Sequence, residues 1–334
     1  MATRDASSFD PREAAESAEA KTLALDGGGR LAYAEYGDSD GIPVVFLHGA
    51  PGSRLLGALF DAPAEERGIR VLAPDRPGYG RSSPCPIPEE SGDPSQRPAE
   101  PTPADFFDAL LDDIGAQSAG VVAFSGGSRD ALAVASARPD RVRHVSVVAG
   151  AVPPGAREET PGTQRLLSWL ATNVPALLGY LFRGQAWLAD RLDPSVVVAQ
   201  YTADDADGAV PEGVAALVRD DFVAGVSRSR RGAVDDFRTA AARWGIPFDD
   251  IEADVSLWHG DADTNVPIAG ARRLESEISG ARLRAVRGAD HLRTLLRSVP
   301  DALDEQCRAA GSLDPDASDA SPGSTAAAES HHRV

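Results

Sequence analysis

Lysine is almost missing from this chain. Lys21 is the only one among 33 basic residues, against 51 aspartates and glutamates and a formal charge of -18. That balance speaks against a protein that works by neutralising nucleic-acid phosphates, so no nucleic-acid partner is expected. An acidic, lysine-poor surface fits a protein kept soluble at high salt, although a GC-rich genome also replaces Lys with Arg. Cysteine is scarce too. Cys85 and Cys307 have no spacing suggestive of metal ligands or a disulfide framework, which fits a reducing compartment. The opening MATRDASSFDPREAAESAEA lacks the apolar core of a signal peptide, and a cytoplasmic location is expected from it. Long hydrophobic runs are lacking as well. LLSWLATNVPALLGYLF, 166–182, is uncharged but reaches only the lower length limit of a membrane span and contains Ser, Thr, Asn, Pro and Gly. Two helices over a pocket suit it better than a span.

Residues 1–20 and 311–334 have too little apolar surface to offset the entropy of ordering, so disorder is expected at both ends. KTLAL and RLAYAEY read as a hairpin around DGGGR. That glycine run is a turn and not a phosphate loop, because no Lys-Ser/Thr follows it. Beyond it, short apolar runs begin at 44, 71, 121, 145, 255 and 283 and alternate with helical stretches. Runs without polar alternation suit strands buried on both faces, and the helices between them imply a parallel sheet. The fold class expected is α/β, a doubly wound and mostly parallel sheet. Its core spans 21–151 and 251–310, and 152–250 reads as a mostly helical insertion.

VVAFSGGSRDALAVA carries Ser125 between a strand-like and a helix-like stretch, with Ala123 and Gly127 as the small residues a tight turn needs. Alone, this is weak. VVFLHGAPGSR adds a strand ending in His48-Gly49-Ala50-Pro51-Gly52, where Ala50 can offer an N–H to an oxyanion and Pro51 cannot. Gly126 N–H would be the second donor. Near the far end, LWHGDADTNVP and VRGADHLRTLL supply acids and a histidine, giving the order Ser, Asp, His. His48 is expected to shape the loop that holds it, and His144 and His259 to be structural. Ser128, Arg129 and Asp130 are expected to face solvent. DDADG at 204–208 lacks the ligand pattern of a calcium loop.

These motifs, with APDRPGYGRSS at 73, resemble those of the α/β-hydrolase superfamily, and in particular its serine hydrolases with a His-Gly-x-Pro-Gly loop. The resemblance covers roughly residues 22–309. It implies Ser125 as nucleophile, His291 as base, Asp263 as acid, and Ala50 and Gly126 as oxyanion donors. Ala123 departs from the usual Gly. The insertion matches the family's lid, with Trp169, Tyr180, Phe182 and Trp187 as candidates to roof an apolar pocket. Asp261 and Asp290 compete with Asp263 for the role of acid. The family's register, three residues past Gly260, favours Asp263, while Asp261 suits a turn and Asp290 sits too close to the histidine. No metal or cofactor is required. The implied activity is cleavage of an ester or related acyl bond in a small molecule through an acyl-enzyme. A lyase or acyltransferase with the same triad, and a silent ligand receptor on the same fold, are the alternatives.

Overall fold

The computed structural model describes residues 10–25, 28–84, 102–153, 161–203, 209–240 and 242–311. Cys85 and the acidic stretch 204–208 lie outside those residues. So does the tail from 312.

Eight strands form one sheet in the order β1-β2-β4-β3-β5-β6-β7-β8. The hairpin β1 (Lys21–Ala24) and β2 (Arg30–Gly37) is antiparallel, and β2 also runs antiparallel to β4 (Ile69–Pro74). From there β3 (Ile42–Leu47), β5 (Ala119–Phe124), β6 (Val142–Val148), β7 (Asp254–Gly260) and β8 (Arg282–Val286) are parallel. Every residue of β5 is buried, which is why its sequence shows no polar alternation.

Alternate strand residues feed two cores, one on each face. Val44, Phe46, Val122 and Phe124 pack on one side with Leu292, Leu295, Val299 and Leu303. Val45, Leu47, Val121 and Ala123 pack on the other with Phe106, Phe107, Leu110 and Leu111. The helices are α1 (Pro11–Ser17), α2 (Asp61–Glu65), α3 (Pro103–Asp113) and α4 (Gly127–Ala137), then α5 (Gly162–Asn173), α6 (Pro175–Ala189), α7 (Pro194–Val198), α8 (Glu212–Ser227) and α9 (Arg231–Ala240), and finally α10 (Ile268–Glu277) and α11 (His291–Gly311). A capping box starts α3: the Thr102 hydroxyl accepts from Asp105 N, and the Asp105 side chain accepts from Thr102 N.

The disorder expected before residue 21 does not hold for residues 10–17. Asp10 caps α1, Pro11 occupies its first turn, Ala15 is buried, and Arg12 pairs with Asp220 of α8. So few apolar side chains gave no periodic signal; docking on α8 is what orders the helix. The apolar run 166–182 is broken into α5 and α6 at Val174, and no helix among the described residues is long and apolar enough to cross a membrane.

One β5–β6 register shift, between Ala119 and Val121, leaves the Val121 carbonyl to Gln306, whose Nε2 donates to it at 3.2 Å and to Ser146 Oγ at 3.2 Å. Gly120 leaves room for that glutamine: a Cβ there would sit 1.8 Å from Gln306 Oε1 and displace its amide. The sheet therefore presents the ends of β3, β5, β7 and β8 at one edge. All four chemistry-bearing segments follow those ends.

Candidate active site

Ser125 follows β5 directly and takes φ +49, a left-handed conformation that a non-glycine residue holds only when its surroundings impose it. Those surroundings are visible. Ser125 N donates to Val148 O at 3.0 Å, while Ser125 O accepts from Ser128 N at 3.1 Å and Ala151 N at 2.9 Å. Gly127 must be glycine for the turn to pass under β3, since a Cβ there would lie 2.4 Å from Leu47 O. The turn lifts the serine side chain clear of the sheet.

His291 opens α11, and its Nε2 lies 2.9 Å from Ser125 Oγ. On the other side of the ring, Nδ1 lies 2.7 Å from Asp263 Oδ2. Asp263 Oδ1 accepts from Asn265 N at 2.8 Å and Val266 N at 2.9 Å, which fixes the carboxylate. Burial alone would raise its pKa. The neighbouring His291, its hydrogen bond and the Val266 N–H outweigh that and hold Asp263 below the usual carboxylate value. His259 packs beside it, with Nε2 donating to Val266 O at 2.8 Å, and burial lowers its pKa and keeps it neutral.

The two rival acids have other duties. Asp261 Oδ1 accepts from Gly288 N at 2.7 Å, which ties the end of β7 to the end of β8. Asp290 caps α11 by accepting from Arg293 N at 2.8 Å, pairs with the Arg293 side chain, and accepts from Ala203 N at 3.0 Å.

Ala50 and Gly126 come together beside the serine: the position a Gly126 Cβ would take is 3.3 Å from Ala50 N. Neither N–H has an acceptor among the described residues. Two free donors therefore converge next to a partly exposed hydroxyl. His48 holds this loop. Arg76 N donates to His48 Nε2 at 3.0 Å, so Nδ1 carries the hydrogen and donates to Gly49 O at 2.7 Å. Burial and the Arg76 charge press its pKa down, which leaves it neutral and unsuited to proton transfer here.

Sequence reasoning missed the residues that brace this frame. The Arg76 guanidinium is buried, donates to Gly49 O at 3.1 Å, and pairs with Asp130 at 2.9 Å and Asp236 of α9 at 2.5 Å. Tyr79 OH donates to the same Asp236 carboxylate at 2.6 Å. The solvent-facing expectation for Ser128 and Asp130 is thus corrected: Ser128 is fully buried and donates to Ala151 O, and Asp130 neutralises a buried arginine. Arg129 is half-buried, with its side chain 34% exposed. Asp221 of α8 accepts from Ser53 N at 2.8 Å, Ser53 Oγ at 2.7 Å and Leu56 N at 3.1 Å, which pins the loop after Gly52. The ring of Tyr201 lies parallel to that of His291 at 6.3 Å, and Leu292 N donates to its carbonyl at 3.1 Å.

The pocket-roof expectation for the insertion's aromatics is corrected as well. Trp169, Tyr180 and Trp187 are 57%, 70% and 60% exposed, too open to line an enclosed roof. Phe182 is the buried one, stacked on Phe237 at 5.8 Å. No group of acids, histidines and cysteines among the described residues could hold a metal ion.

The mostly parallel eight-stranded sheet with helices on both faces is the fold of a known family. The chain belongs to the alpha/beta hydrolase family, whose model matches residues 44–306. A haloalkane dehalogenase from Mycolicibacterium paratuberculosis is 34% identical over 133 residues, which is 40% of this chain and 42% of that protein. The chain thus spans less than half the length of that relative. Among solved structures, an esterase from Exiguobacterium antarcticum superposes with a TM-score of 0.63 at 17% identity, over 87% of this chain and 100% of that one. A bromoperoxidase from Bacillus anthracis gives 0.62 at 21% identity, over 87% of this chain and 100% of that one. At these identities the two structures establish the fold.

Proposed function

We propose that the protein is a serine hydrolase that cleaves an ester or related acyl bond through an acyl-enzyme. The observation that carries the reading is the chain of contacts Ser125 Oγ to His291 Nε2 at 2.9 Å and His291 Nδ1 to Asp263 Oδ2 at 2.7 Å. Ser125 Oγ attacks the carbonyl carbon as His291 Nε2 takes its proton. Ala50 N–H and Gly126 N–H stabilise the tetrahedral oxyanion. Collapse expels the leaving oxygen, which receives the proton from His291 and departs as an alcohol. Water then attacks the acyl-serine ester, passing a proton to His291, and its collapse returns that proton to Ser125 and releases the acid. Asp263 keeps Nδ1 protonated, so that Nε2 faces the serine as a base.

The dehalogenase relative suggests a second reading, displacement of halide from an alkyl carbon. The residue at the turn argues against it here. A serine alkylated by a haloalkane would become an ether, which water does not readily cleave, whereas a carboxylate nucleophile would give a hydrolysable ester. The helical insertion, tied to the frame through Asp221 and Asp236, serves in this reading as the lid.

A serine-directed phosphonate should label the protein covalently, and a series of esters of increasing acyl length should be hydrolysed. Ser125→Ala should abolish labelling and lower turnover by several powers of ten. Ester turnover retained in that variant would overturn the reading. Product analysis with an added acceptor alcohol separates hydrolysis from acyl transfer.

A further inference from the structure

Helix α6 is apolar on opposite sides. Leu178, Phe182, Ala186 and Ala189 are buried toward the rest of the insertion. Leu177, Tyr180, Leu181, Trp187 and Leu188 are 47–70% exposed, and at 3.6 residues per turn they fall on one stripe about 120° wide. Gly184 lies on the same stripe and has open space above its Cα. On α5, Leu166 and Trp169 are each 57% exposed as well. Scattered apolar side chains on a surface need no explanation, but a continuous stripe along a helix does.

Charge says what covers it. In a chain of net charge -18, the stretch from Pro161 through Ala189 contains no aspartate or glutamate; its only charges are Arg165 and Arg183, both exposed. Arg191 follows, stacked 4.3 Å over the Trp187 ring, with Asp190 beside it at 3.5 Å and Asp193 further along. Leucines with two tryptophans and a tyrosine, rimmed by arginines, make the chemistry that seats a helix in the headgroup layer of an anionic bilayer. A second copy fits less well, since this face carries Arg165 and Arg183 and no carboxylate between Pro161 and Ala189 to meet the arginines of another copy. Segments of this chain outside the described residues fit no better. Stretches 85–101 and 312–334 carry one isoleucine, one leucine and one valine between them as large aliphatics.

We propose that the outer face of α5 and α6 docks the protein on an anionic lipid surface. The acidic remainder does not forbid this, because at physiological salt charges more than about 8 Å away are largely screened. The helix lies in the interface and does not cross it, in keeping with its length and its break at Val174.

The test uses the full chain with vesicles of phosphatidylcholine, with and without phosphatidylglycerol. The protein should co-sediment with the anionic vesicles, and its tryptophan emission should shift to the blue as Trp169 and Trp187 leave water. Exchanging Tyr180 and Leu181 together for glutamate, or making Arg183→Glu, should weaken partitioning at least about tenfold without lowering the melting temperature, because all three side chains are exposed. Ser125→Ala should bind as well as the unaltered chain, which keeps this result separate from the chemistry at the serine. Failure to associate with anionic vesicles overturns the proposal. So does a stable dimer that buries this face and dissolves in the Tyr180/Leu181 double variant while vesicle binding is absent.

Discussion

At the scale of single residues, three aspartates near one histidine do three different things, and substitutions should separate them. Asp263→Asn keeps the shape but removes the charge that fixes the His291 tautomer; turnover should fall about 10³- to 10⁴-fold with little change in melting temperature. Asp261→Ala loses one hydrogen bond, to Gly288 N, so steady-state kinetics should stay within a few-fold while stability drops by about 0.5–1.5 kcal/mol. Reversed kinetic losses in two equally folded variants would make Asp261 the acid. Ser125, Ala50 and Gly126 were legible because small residues mark the turns that carry them, and His291 because it closes the Ser, Asp, His order of the family that the motifs resemble. Asp221 and Asp236 carry no such mark. Each is one acid among 51 acidic residues, and its role comes from a partner far away in the chain, Ser53 in one case and Arg76 in the other.

At the scale of elements, the strands were legible because burial on both faces forces unbroken apolar runs, whereas the direction of α6 was not. A helix apolar all round shows no preferred side in its sequence, and the aromatic residues expected inside proved to be outside. Helix α8 falls within the stretch read as helical, but the partners of its Asp221 are visible only in the structure, and they carry a testable pH effect. Asp221 is fully enclosed, and burial raises its pKa to about 7, opposed by its bonds from Ser53 and Leu56 and reinforced by nearby Asp75, which is itself paired with Arg54. An unfolded aspartate titrates near 3.9. Between roughly pH 4 and 7 the folded chain therefore holds a proton that the unfolded chain has released, so this group's contribution falls as pH rises and levels off above about 7. Asp221→Asn keeps an acceptor oxygen but cannot ionise. Its melting temperature should gain on that of the unaltered protein as pH climbs from 4 to 7 and hold a constant lead beyond; parallel curves would refute the assignment.

At the scale of the whole molecule, the -18 charge has a direct consequence for salt. Like-charged carboxylates repel across the folded surface, and ions screen that repulsion, so the melting temperature should rise between low and molar sodium chloride. A flat or falling curve would instead tie the missing lysines to genome composition. The route of the chain through its sheet has another consequence. Neighbouring strands β6 and β7 are separated in sequence by residues 149–253, so the sheet cannot add β7 until α5 to α9 have been made. On a ribosome, synthesis from the N-terminus delivers β1 to β6, the Ala50 and Gly126 donors and Ser125 well before Asp263 and His291 emerge. A nascent or truncated chain thus owns Ser125 without the His291 imidazole and leaves β6 as a bare, apolar sheet edge. In the proposed mechanism, completion of the polypeptide is itself the step that supplies the base and the acid, and a product released early would lack both and carry an exposed apolar edge.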